Sequence, residues 1–104
     1  MMNERSFEDL DHLVIEWARE RNILKHGNAL TQLKKSQEEL DELKQALETD
    51  NIMGIIDGYG DLVVTLIIGA ELNGLDLTEC LNAAYEEIKD RKGKLNSEGI
   101  FVKQ

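Results

Sequence analysis

The chain has 104 residues with 21 acids against 12 bases, a formal net charge of −9, one cysteine and no proline. That length allows one domain and not two, and the acidity argues against a nucleic-acid binder, which carries a basic stripe, or a protein held to anionic membranes. The lone Cys80 leaves no internal disulfide, fits a reducing compartment and reads as a buried structural thiol rather than a nucleophile.

Without proline nothing forces a break inside a long helix, so glycines and short polar clusters do the punctuating. The spacing predicts four helices. No basic-then-apolar leader opens the chain. The first helix is expected over about 7–24, with Ser6 as N-cap and Glu8 and Asp9 in the first turn, where the helix dipole favours negative charge. Leu10, Leu13, Val14, Trp17 and Ala18 recur at helical spacing. KHGN at 25–28 reads as a loop.

The second helix is expected over about 29–47, with Leu30, Leu33, Leu40, Leu43 and Leu47 on one side, and ETDN at 48–51 is a turn. The third is expected over about 52–73. Its VVTLII segment has strand propensity, but no other strand is visible to pair with it, so helix is preferred. The apolar run from Leu62 to Ala70 is broken only by Thr65 and Gly69, and its nine residues are about half of what a bilayer crossing needs. A soluble, cytoplasmic protein follows. The fourth helix, about 77–92, opens on DLTE, a capping-box pattern, and carries Leu77, Leu81, Ala84, Tyr85 and Ile88. The tail, 93–104, is too short for a domain, and Ile100, Phe101 and Val102 are expected to fold back onto the body or a partner chain. The fold class is therefore all-α, a four-helix bundle-like single domain over 1–104. Its third helix has more apolar surface than one small bundle hides, which calls for an oligomer.

Two acidic groups interrupt this pattern. In SQEELDELKQAL, Glu38, Glu39 and Glu42 lie along one edge of the leucine stripe, with Gln32 and Lys35 on the same arc, while Asp41 points to the other flank. A solvated helix face explains them as well as a metal site does. The third helix shifts the balance. Asp57 and Asp61 lie four residues apart in an otherwise apolar helix, where unpaired burial of a charge is expensive, and Gly58 and Gly60 beside them each cost about 1 kcal/mol of helix propensity. Pairing of the aspartates with Lys or Arg is the structural alternative. Carboxylates from two helices suit Mg²⁺ or Mn²⁺, and the lack of clustered His or Cys disfavours zinc. His12 and His26 read as ordinary polar positions. On the fourth helix Asn82, Tyr85, Lys89 and Lys92 share a flank, extended by Arg91 and Lys94. These cations answer either the helix dipole or the phosphates of a ligand.

Glu38-Glu39-x-x-Glu42, fourteen residues, then Asp57-Gly-Tyr-Gly-Asp61 resembles the MazG-like all-α nucleoside triphosphate pyrophosphohydrolases. Gln32-Leu33-x-Lys35 and the ending AAYEEIKDRKGKL with GIFVK resemble small phage and bacterial members, and the likeness covers about 10–104. It implies Mg²⁺-dependent hydrolysis of a (deoxy)nucleoside triphosphate between the α and β phosphates by a homodimer or homotetramer, with the sites where helices meet. Glu38, Glu39, Glu42 and Asp61 would be metal ligands, and Glu38 or Glu39 would orient or deprotonate the water. Lys35, Lys89, Arg91 and Lys92 would meet phosphates, and Trp17, Asn82 and Tyr85 the base or sugar, although Trp17 also fits plain core. The family's E-x-x-D places its glutamate at Gly58, so Asp57 would have to substitute, through water if its shorter arm does not reach. A non-enzymatic helical oligomerisation module, and a sister activity on phosphoribosyl-ATP or dUTP, are the alternatives.

Overall fold

Polar caps set where the helices begin. In the computed structural model, which describes residues 4–104, Ser6 Oγ accepts the Asp9 amide at 3.0 Å and opens α1 (Phe7–Glu20). The first helix ends sooner than its periodicity predicts, because Asn22 adopts the left-handed conformation (φ 61°, ψ 19°) that asparagine tolerates. The chain resumes in a single turn, α2 (Ile23–His26), partly where a loop was expected. Asn28 Oδ1 caps α3 (Ala29–Glu48) through the Thr31 amide at 2.8 Å, and Asn51 Oδ1 caps α4 (Ile52–Leu72) through the Gly54 amide at 3.1 Å. Asp76 Oδ1 caps α5 (Leu77–Ile88) through the Thr78 amide at 2.8 Å. VVTLII is helical, inside α4.

The fourth long helix stops at Ile88, not near 92. Lys89 is its C-cap, and the Arg91 amide turns back to the Ile88 carbonyl at 2.9 Å. The tail folds on itself as an antiparallel hairpin, β1 (Gly93–Leu95) with β2 (Phe101–Lys103), in the register Gly93 to Lys103, Lys94 to Val102 and Leu95 to Phe101. Asn96 Oδ1 accepts the amides of Glu98 and Ile100 at 2.9 and 3.0 Å and closes the turn. Three-residue strands carry too short an alternation to be read as a period.

The scaffold is the α3–α4 pair, joined by the tight turn at 49–51 and packed along its length. α1 lies on α4 and α5, α2 touches α1 and α4, and α3 makes no contact with α5. The two helices approach closely at Gly58. A Cβ built there would meet Leu43 Cδ1 at 2.9 Å, Cβ at 3.0 Å and Cα at 3.1 Å. Around Gly60 nothing lies within 4 Å. The two glycines therefore play different parts, and their alanine variants should separate. Gly60→Ala gains helix propensity alone and is expected to stabilise by up to about 1 kcal/mol. Gly58→Ala gains the same propensity but must push α3 away, and is expected to destabilise by about 1–2 kcal/mol net. Urea denaturation of both variants checks this, and equal effects would mean the helices do not meet at Gly58.

The buried side of α3 differs from the predicted one. It is Ser36, Glu39, Leu43 and Ala46 that face α4, with Ser36 Oγ and Thr65 Oγ1 hydrogen-bonded at 2.8 Å in the interface. Of the predicted leucine stripe only Leu43 is buried. Leu30 and Leu33 are 77% and 57% exposed, and Leu40 and Leu47 are exposed too. α3 thus shows a leucine flank on one side of its α4 contact and a carboxylate flank on the other. Cys80, expected inside, is exposed on α5.

Much apolar surface stays uncovered. The chain exposes 8371 Å², against about 5,900 Å² for a folded monomer of its mass. Its radius of gyration is 15.9 Å, against about 13 Å for a compact domain of this length. α4, with a mean hydropathy of 1.7, is by length and composition alone long and apolar enough to cross a membrane, which the contiguous run of nine residues did not reveal.

Candidate active site

Glu39 is the acidic residue of α3 that packing takes out of water. Its period, shared with Ser36, Leu43 and Ala46, turns it toward α4, and it is 7% exposed. Oε1 lies 3.4 Å from Lys35 Nζ, while Oε2 is buried without a hydrogen-bond partner among the described residues. A buried carboxylate oxygen left without a donor is costly and calls for a partner such as water or a cation; among the described residues Asp11 Oδ1, between α1 and α5, is in the same position. Lys35 bridges Glu39 and Glu38, the latter at 3.2 Å, and its hydrogen bonds to the two carboxylates raise it above the usual 10.5, so it stays charged. Glu38 itself points outward.

Two clefts flank this point. One, of about 340 Å³, is lined by Glu42, Asp57 and Asp61 with Gln45, Asn51 and Gly58. The other, of about 240 Å³, is lined by Trp17, Gln32, Lys35, Glu39, Asp61 and Thr65 among others. Asp61 borders both. Four of the five proposed ligands, Glu39, Glu42, Asp57 and Asp61, thus gather along one edge of the α3–α4 pair. They do not converge indoors, since Glu42, Asp57 and Asp61 are exposed. Among the described residues no three His, Cys, Asp or Glu side chains stand close enough together to hold a metal ion as placed. Gly58, where the family pattern has glutamate, faces Leu43 with no room for a side chain, and Asp57 beside it opens on the cleft.

Glu42 feels its neighbours. The charge of Glu39, contact with its carboxylate and a weaker push from Asp61 raise Glu42 above its ordinary 4.5, with Lys35 opposing. For an acid raised in the folded state, the contribution to stability is present below 4.5 and is lost as pH rises through the folded-state value. At neutral pH Glu42 therefore works against the fold, and a divalent cation would relieve it. Glu42→Gln is expected to melt at a higher temperature than wild type at pH 7 in chelator, and, if Mg²⁺ raises the wild-type melting temperature, to lose much of that rise. Melts with and without Mg²⁺ read both, and an identical Mg²⁺ response in the variant excludes Glu42 as a ligand.

No family model matches the chain, and no curated protein or solved structure does. The site therefore rests on its own geometry, and that geometry divides the proposed substrate contacts. Trp17, 44% exposed, lines the Glu39 cleft with the Arg21 guanidinium 4.6 Å from its ring centre, so it is not plain core. Lys35 lies in the same cleft. Asn82, Tyr85, Lys89, Arg91 and Lys92 do not join them on α3, because α5 does not touch it. Lys89 pairs with Glu86 at 2.8 Å and Arg91 with Glu87 at 3.3 Å, and Arg91 and Lys92 follow the end of α5. Gln45 and Asn51 are cleft residues not singled out from sequence. Gln45 sits three residues after Glu42, on a neighbouring position of the same face, and that spacing was the available signal.

Proposed function

We propose that this chain is a MazG-like nucleoside triphosphate pyrophosphohydrolase of the cytoplasm, which hydrolyses a (deoxy)nucleoside triphosphate at the α–β bond with Mg²⁺, yielding a nucleoside monophosphate and pyrophosphate. The observation that carries this reading is Glu39, buried against α4 with one carboxylate oxygen unpartnered, between clefts that Asp61 joins. The donor set fits a hard divalent cation, being all carboxylate oxygen. Glu39, Glu42 and Asp61 would hold it, with Asp57 at the outer edge and exposed side chains free to turn toward Glu39. When bound, Mg²⁺ supplies charge neutralisation for the phosphates and a lower pKa for water.

The chain's own residues then have distinct tasks. Glu38, exposed and one residue from the buried carboxylate, orients or deprotonates the attacking water. Lys35, kept charged by Glu38 and Glu39, meets a phosphate oxygen. Trp17 offers a face for the base, and Arg21 closes over the other side of it. The basic end of α5 completes the phosphate contacts from another copy of the chain in a bundle-like homodimer or homotetramer. The leucine flank of α3, the exposed Ile52, Ile56 and Tyr59 of α4, and a surface about 2,500 Å² above that of a compact monomer support such an oligomer.

Purified protein incubated with a panel of ribo- and deoxynucleoside triphosphates and Mg²⁺ should release pyrophosphate. Phosphoribosyl-ATP and nucleoside diphosphates in the same panel separate the sister activities. No turnover on any substrate, with a folded oligomer, would leave a helical assembly module.

A further inference from the structure

The C-terminal hairpin stands apart from the rest of the chain. Among the described residues β1 and β2 pair with each other and touch no helix. Leu95 and Phe101 are directly opposite on one face, and Val102 lies on the other beside Lys94. Leu95, Ile100, Phe101 and Val102 are all exposed. A lone two-stranded hairpin is marginal in water, and one with apolar side chains on both faces needs a third surface. Yet its own packing is specific. The Phe101 ring lies so close over Gly93 that a Cβ there would meet its Cζ at 2.6 Å.

Charge says which surface. Residues 89–104 carry five cations and two acids, whereas the preceding 88 carry seven cations and nineteen acids. Lys89 and Arg91 are paired within α5 and the turn after it. Among the described residues Lys92, Lys94 and Lys103 have no ion pair, and the cleft of Glu42, Asp57 and Asp61 has no lysine or arginine in its lining. The helical body of a second copy offers both the missing charge and uncovered apolar surface, and the exposed area exceeds a compact monomer's by more than a standard interface buries on each partner.

We infer that the hairpin is an intersubunit arm, which docks on a second copy of the chain along its carboxylate flank and brings Lys94 and Lys103 to the mouth of the Glu42–Asp57–Asp61 cleft. The inference rests on the homo-oligomer reading above and adds to it which segment reaches across and where it lands. The arm then supplies in trans the cations that the lining of this cleft lacks.

The test mixes copies grown on light and heavy nitrogen and joins contacting lysine–carboxylate pairs with a zero-length carbodiimide. Mixed-isotope peptides linking 93–104 to 37–61 are expected, and finding only same-isotope links in an oligomeric sample would overturn the inference. Sedimentation velocity gives an independent reading. Leu95→Asp with Phe101→Asp should weaken association at least about tenfold while helicity is kept, since the hairpin supports no helix in its own chain. Lys94→Glu with Lys103→Glu should also weaken it, and should reduce its sensitivity to salt. Unchanged association in the first double variant overturns the arm, and unchanged association in the second overturns its placement on the carboxylates. A wild-type monomer at high concentration would instead remove the oligomer reading, and the arm with it.

Discussion

Glu39→Gln is expected to reduce pyrophosphate release by about a thousandfold or more and to leave the protein at least as stable as wild type. The two halves of that result have one cause. Oε2 of Glu39 is buried with no donor facing it, and Glu42 repels it. A neutral amide of the same shape removes that repulsion and can donate to Glu42, so the fold loses little beyond one of the two partners of Lys35. In the proposed reaction, the charge that would hold the divalent cation is lost, an effect of the size seen when a group that stabilises the transition state is removed. Asp61→Asn should match it, because Asp61 borders both clefts. Asp57→Asn should cost less, as Asp57 is exposed at the outer edge. Steady-state kinetics on the best substrate of the panel, paired with thermal melts, read activity and stability separately. If Glu39→Gln turned over within about threefold of wild type, the buried carboxylate would have no part in the reaction, whatever the protein's activity.

The second large effect concerns a residue away from the clefts. Asp11→Ala should destabilise the chain by about 3 kcal/mol, lowering its melting temperature by more than about 10 °C. Asp11 is fully buried, and its Oδ2 accepts both the Thr78 amide at 3.0 Å and the Thr78 hydroxyl at 2.7 Å. Through that one oxygen α1 holds the first turn of α5. Truncation leaves the half-buried hydroxyl without this acceptor and opens a void between α1 and α5. Asp11→Asn keeps an acceptor and should lose only part of the stability. The pair also acts on pH. The Asp11 carboxyl, and then the Thr78 amide, hold Asp76 below its ordinary 3.8. A lowered acid contributes stability above 3.8 that is lost as pH falls through the folded-state value. Wild type should therefore lose stability in that acid range more steeply than Asp11→Ala. Melts from pH 7 down to about 3 compare the two slopes, and parallel slopes would show that Asp11 does not act on Asp76.

Nothing in the sequence around Asp11 sets it apart. An aspartate in the second turn of a surface-looking helix resembles the capping acids before it, Glu8 and Asp9. Only its partner, 67 residues later, distinguishes it. The same holds for the leucines of α3. Their spacing marks an apolar flank correctly, yet periodicity alone does not say whether that flank meets the same chain or another. The stripe that meets α4 is built from Ser36, Glu39, Leu43 and Ala46, which read from sequence as a mixed and partly charged face. Gly58 has no side chain to hold Leu43 off, so packing chose the face that fits over the one that is most apolar.

What the sequence determined by itself is what local chemistry controls. Ser6, Asn51 and Asp76 stand at helix starts because their side chains satisfy free amides within three residues, and the 3.6-residue period alone places Glu38, Glu39 and Glu42 beside one another. The tertiary structure decided everything that depends on a distant partner. It buried Glu39 and left Glu42, Asp57 and Asp61 at an open edge, ended the first helix at a left-handed Asn22, and turned the tail into a hairpin that touches no helix among the described residues. Burial, close approach and strand pairing are properties of two segments at once, and a pattern read along one segment carries no information about the other.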